Sequence, residues 1–147
     1  MARYAAGTTV TVLTSRGDIT GILAKHGVEV MAWGTAPAGD TLQFELGGIT
    51  YRFFIEKPTA KSLWEQWKAD GRPESALRYL PNDNQVEAEW RRRWRAHVLL
   101  LKAKLEFAGT GDTTVAREFL PYRVLPDGRT LEAAMEEGKF LLGSGKT

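Results

Sequence analysis

Four arginines fall within five residues, Arg91, Arg92, Arg93 and Arg95, and Trp90 and Trp94 lie among them. Guanidinium forks grip phosphate bidentately, and indole rings stack on bases. At about 100° per residue on a helix, Arg91, Arg95 and Lys102 align along one edge, with Arg92 beside it. The chemistry this suggests is contact with a nucleic-acid backbone. Arg52 could add a phosphate contact, and Tyr51 or an exposed tryptophan would stack bases. The same residues support another reading. The guanidiniums would pair with Glu87, Glu89 or the acidic stretch Glu132 to Glu137, with the tryptophans in the core. The basic stems would then lie over apolar surface.

Catalytic patterns are missing. His26 and His97 each stand alone, and no H-x-x-x-H, H-E-x-x-H or Asp-x-Asp spacing suggests a metal. Asp18, Asp40 and Glu45 form no recognisable carboxylate pair, and no serine sits in a G-x-S-x-G turn. Gly143-Ser144-Gly145-Lys146-Thr147 resembles the end of a phosphate-binding loop. It lacks the upstream glycine, the preceding strand and the following helix that such a loop needs. The absence of cysteine excludes disulfides and thiolate chemistry and fits a reducing compartment. We therefore expect no enzyme activity, no metal and no cofactor.

The elements that must position the basic edge follow from periodicity. Gln85 to Ala108 is the longest run without Gly or Pro, and its residues favour a helix. Asp83 or Asn84 can cap it, and Gly109 follows it. Trp90, Trp94, His97, Leu101 and Leu105 form one stripe. Ala96, Leu100, Ala103 and Phe107 form a second, roughly opposite. A helix apolar on two sides is expected to be covered on both.

Met1 to Val12 reads as a strand or an extended arm. Ser15 opens a helix that Gly27 ends, with Asp18 at capping-box spacing. Val28 to Trp33 is a strand, and Gly34 to Gly39 a loop. Asp40 to Leu46 and Ile49 to Glu56 form a hairpin about Gly47-Gly48. Leu46 then faces Ile49, Phe44 faces Tyr51 and Leu42 faces Phe53, all on one apolar face; Gln43, Glu45, Thr50 and Arg52 form the polar one. Thr59 caps a short helix to Ala69 that carries Leu63, Trp64 and Trp67. Glu74 to Asn84 is irregular or weakly helical. Thr113 or Thr114 caps a short helix before Pro121, Pro126-Asp127-Gly128 turns, and Thr130 caps a last helix to about Glu137.

The expected fold is α+β: a three-stranded antiparallel meander packed on a long central helix, with short flanking helices. The 147 residues make one domain, with 58–84 as an insert and 141–147 as a flexible tail. Lys and Arg total 20 against 18 Asp and Glu, a balance too mild to indicate nucleic acid without the local cluster. No apolar run nears the ~20 residues that span a bilayer, so the chain reads as soluble and intracellular, with no membrane partner.

Several segments together carry a resemblance. They are Arg93-Trp94-Arg95-Ala96, Lys102-Ala103-Lys104-Leu105-Glu106, Glu118-Phe119-Leu120 and Leu125-Pro126-Asp127-Gly128-Arg129-Thr130, with Ala2-Arg3-Tyr4-Ala5 and Thr8-Thr9-Val10 at the start. The chain resembles a family of small uncharacterised proteins of tailed bacteriophages and prophages. That implies a role in an infected bacterial cytoplasm. A helix ending in Ile22-Leu23-Ala24-Lys25-His26-Gly27, then a meander and a long basic helix, is similar in topology to phage single-strand annealing proteins of the ERF and RecT type. That resemblance implies single-stranded DNA, recombination or replication, and a homo-oligomer. The sequence expectation is a non-enzymatic protein that binds nucleic acid. The alternative is an interaction module, such as an inhibitor of a host or defence enzyme, that docks a host protein through Trp64 and Trp67.

Overall fold

The computed structural model describes residues 8–138. The order is α1 (Val12–Lys25), β1 (Val30–Ala36), β2 (Gly39–Leu46), β3 (Ile49–Glu56), α2 (Ala60–Ala69), α3 (Asp83–Ala108), α4 (Val115–Glu118) and α5 (Leu131–Glu136). Short 3-10 turns occupy Glu74–Leu77 and Leu120–Tyr122. This is the expected α+β meander on a long helix. The 141–147 tail, its Gly-Ser-Gly-Lys-Thr, and residues 1–7 lie outside the described residues.

The sheet is antiparallel in the order β1-β2-β3. Leu46 faces Ile49, Phe44 faces Tyr51 and Leu42 faces Phe53, as alternation requires. Gly47 and Gly48 have φ of 62° and 78°, the left-handed pair that lets a two-residue turn follow the strand twist. The loop expected from Gly34 to Gly39 is not one. β1 runs on to Ala36, β2 starts at Gly39, and only Pro37 and Ala38 turn. Gly39 is needed by close approach. A Cβ there would meet the Ile55 carbonyl oxygen at 2.3 Å and the Phe54 ring at 2.7 Å. Val28 precedes the strand and is buried, its N–H donating to the Leu23 carbonyl.

The helix boundaries move for reasons of capping. Thr11, not Ser15, caps α1: its hydroxyl accepts from the Thr14 N–H at 3.1 Å. The Thr-rich stretch thus leads into a helix rather than a strand. Ser15 lies buried inside it, and Asp18 is drawn away to Arg95. Asn82, not Asp83 or Asn84, caps α3. It forms a reciprocal box with Gln85, at 2.9 and 2.8 Å.

Trp90, Trp94, Val98, Leu101 and Leu105 turn one face of α3 into the core with Leu42, Phe44, Tyr51 and Phe53. The second stripe is covered only in part: Leu100 packs against the core and Ala96 is half-buried, whereas Ala103 and Phe107 are exposed. α1 instead packs along the flank of α3, burying Ile19 and Leu23. The C-terminal segment covers part of the β3 edge of the sheet. Phe119 enters the aromatic core beside Phe44, Tyr51 and Phe53. Arg123 then lies opposite Tyr51, and the Val124 N–H donates to the Thr50 carbonyl at 2.9 Å.

Leu101 is fully buried against this sheet. Leu101→Ala should cost about 2–5 kcal/mol, because the cavity it leaves cannot fully collapse. Thermal unfolding reads this directly; an unchanged midpoint would place the stripe in solvent.

Candidate functional site

The arginines of α3 are occupied inside the molecule. Glu89 is buried at 8% exposure. Its carboxylate accepts two bonds from Arg92, Nε at 2.9 Å and Nη2 at 2.8 Å, and one from Arg93 Nε at 3.0 Å. Burial alone would raise the Glu89 pKa. The hydrogen bonds and charges of the two guanidiniums outweigh it and hold the carboxyl below its ordinary range. Arg93 also donates to the Glu56 carbonyl at 2.9 Å and to Gln66 Oε1 at 3.1 Å, so it ties α3 to both β3 and α2.

Arg95 Nη1 donates to Asp18 Oδ2 at 2.7 Å and reaches Ser15 Oγ at 3.3 Å, which fastens α3 to α1. Arg91 lies 3.8 Å from Glu87 and reaches the Thr8 carbonyl. Arg91, Arg92 and Arg95, expected along a free phosphate edge, are thus each placed in an ion pair within the chain. Glu87 and Glu89 are the partners that the second sequence reading named, and Asp18 is one it did not. Glu137, in the acidic stretch, pairs with Arg129 instead.

Other expected site residues are also placed inside. Tyr51 is 1% exposed, with its ring 5.6 Å from Phe44 and 5.7 Å from Phe119. It cannot stack a base, because alternation in β3 aims it at the core. Its hydroxyl is buried without a hydrogen-bond partner among the described residues, and burial pushes its pKa up against the opposing charge of Arg123. Arg52 clamps the C-terminal turn, with Nε on Gln43 Oε1 at 3.1 Å and Nη1 on the Gly128 carbonyl at 2.7 Å. Trp67 is buried, and Trp64 donates from Nε1 to the Leu77 carbonyl at 2.9 Å. Arg72 and Lys68 lie over their rings. Both indoles, expected as docking anchors, help fold the 58–84 segment, with Trp67 buried and Trp64 half-buried.

His97 is largely buried, with Nδ1 2.9 Å from the Arg93 carbonyl. Burial lowers its pKa, and the nearby Arg92 and Arg93 charges add to that. Among the described residues no group of three His, Asp or Glu side chains is placed to hold a metal. No helix among them is long and apolar enough to cross a membrane.

Two surfaces stand out among the described residues. One is a groove of about 410 Å³ between α1 and α3, lined by Gly17, Gly21, Lys25, Arg95, Val98 and Lys102 among others. Nothing lies within 4 Å of where a Cβ would stand on Gly17 or Gly21, so the missing side chains leave it open. Lys102, expected at the basic edge, is exposed here with Lys25; neither makes an ion pair among the described residues.

The other surface is the outer edge of β1. Among the described residues no strand pairs with it. Its sequence, VMAWGTA, has no charge. Val30 is 63% exposed, and Ala32, Gly34, Thr35 and Ala36 are exposed as well. Ala36 opposite Gly39 closes a two-residue turn, so that pair is hydrogen-bonded. Alternation then points the main-chain groups of Met31, Trp33 and Thr35 away from β2, toward the open side. Sequence reasoning missed this edge because the expected loop cut β1 short. The readable signal was a β-prone run with no lysine.

Compared with protein-family models, curated proteins and solved structures, the chain matches none.

The Glu89 contact makes a pH prediction. Its lowered pKa means that the unfolded chain binds more protons just below the ordinary glutamate range. The stability it contributes is full at neutral pH and is lost as pH falls through the lowered value. Glu89→Gln should cost roughly 3 kcal/mol at pH 7, since two guanidiniums lose their counter-charge. It should also flatten the acid limb of the stability profile. Parallel profiles for the two chains would show that the contact contributes nothing.

Proposed function

We propose that this chain is a protein-interaction module that takes up a strand along the open edge of β1. The observation that carries the reading is a seven-residue, uncharged edge with outward main-chain donors and acceptors. Strand addition to such an edge draws affinity from main-chain hydrogen bonds and selectivity from alternate side chains. The arginines that suggested nucleic acid are spent on internal ion pairs. The resemblance to small phage proteins favours a partner met in an infected bacterium, either a host protein or a phage protein. The reading needs no catalytic group.

A second reading rests on a different observation. Lys25 and Lys102 face the glycine-opened groove between α1 and α3 beside Arg95. A single-stranded backbone is the ligand it would suit.

Thr35→Pro tests the first reading. The Thr35 N–H points away from β2, so proline blocks the edge without breaking the ladder. Affinity capture from bacterial lysate, compared between the two chains by quantitative mass spectrometry, should show enrichment that the variant loses. Identical capture by both would sink the reading. For the second reading, single-stranded DNA retention at low salt should weaken as salt rises. Lys25→Ala and Lys102→Ala should each reduce the log–log slope by ~0.7. Slopes equal to the parent's would remove the groove from consideration.

A further inference from the structure

We infer that the strand paired with β1 is β1 of a second copy of this chain, antiparallel about a two-fold axis through Trp33. The inference rests on the proposed use of that edge and names its occupant. Met31, Trp33 and Thr35 present their main-chain groups outward. A two-fold axis at Trp33 sets Trp33 against Trp33 and Met31 against Thr35, so the edge is its own complement. Each facing pair then exchanges two main-chain hydrogen bonds. The two three-stranded meanders become one six-stranded sheet.

Side chains agree with this register. On the outer face Val30 lies opposite Ala36 of the second copy, and Ala32 opposite Gly34, so small residues meet at the joint. No charged residue of one β1 faces a charged residue of the other. Glu29, just before the strand, falls opposite Pro37 of the second copy, next to Ala38. Trp33 stacks on Trp94 at 5.5 Å and carries the Arg16 guanidinium 4.6 Å above its ring, yet it remains only half-buried. Pairing covers its open side with an identical indole.

A foreign strand could use the same hydrogen bonds. The symmetric match of side-chain size along a neutral strand is what favours a second copy. Long neutral edges without lysine, internal proline or a bulge pair with whatever strand is presented, and the nearest one in solution is the same edge.

The test is sedimentation equilibrium of the full chain over a concentration series. A single-strand joint is small, so association is concentration-dependent. The wild-type mass should climb from the 16.4 kDa of one chain toward twice that value. Thr35→Pro and Thr35→Lys should both stay at one chain's mass, with far-UV circular dichroism unchanged. Lysine at this exposed position keeps the backbone intact, so it covers the case in which proline disturbs folding. A wild type still at one chain's mass at ~1 mM overturns the inference. So does a dimer that both variants retain, because it would form through another face. A monomeric wild type that captures a lysate protein in a Thr35-dependent way sinks the second copy but leaves the interaction module standing. Neither dimer nor edge-dependent capture sinks both.

Discussion

Glu89 puts a carboxylate where α2, α3 and the end of β3 converge, and three charge-assisted hydrogen bonds hold it there. A buried carboxylate is tolerable only if such partners replace its water. Arg92 and Arg93 do that, and Arg93 carries the connection on to the Glu56 carbonyl and to Gln66. In the 58–84 segment α2 buries only Leu63 and Trp67, while Tyr79 and Leu80 are exposed. This ionic corner therefore fixes how that segment sits on the helix. On the opposite flank Arg95 does the same for α1 through Asp18. α3 is held to its neighbours by aromatic packing on one face and by guanidinium clamps along the sides.

The clamps show what a helical wheel leaves out. Periodicity gives the direction of Arg91, Arg92 and Arg95 from the helix axis, but not which chain segment lies in that direction. Asp18 is 77 residues from Arg95 in sequence, and only the packing of α1 brings them together. Glu87 and Glu89, at i−4 and i−3 from Arg91 and Arg92, were legible because they lie on the same helix. Tyr51 was legible too. The pattern that set it opposite Phe44 already placed it inside, so a base-stacking role conflicted with the sheet.

The hairpin about Gly47-Gly48 and its register could be read because two rules agree there, left-handed glycines and strict alternation. The caps could not. Thr11, Ser15, Asn82, Asp83 and Asn84 all have capping chemistry, and only geometry decides which is used. The second turn was hidden for another reason. Gly34, Ala36 and Gly39 have no strand preference of their own, and their pairing with β2 and β3 imposes it.

The two edges of the sheet are treated differently, and the difference bears on function. The edge of β3 is blunted from within the chain: Arg123 lies opposite Tyr51, and Val124 donates to Thr50. Arg52 then pins the turn beyond, through Gly128. β1 has no such cover among the described residues. An uncovered edge invites pairing with any extended chain, and a lysine or a bulge would suppress that at little cost to a solvent-facing strand. β1 has neither, and its outward positions on the polar face are Val30, Ala32, Gly34 and Ala36. Small side chains there let another backbone approach the full length of the strand, whereas bulky or charged ones would hold it off. On the same face the Phe54 ring lies across Gly39, at the start of β2, where a Cβ would not fit. A neutral, unobstructed edge suits a strand that is completed by a partner.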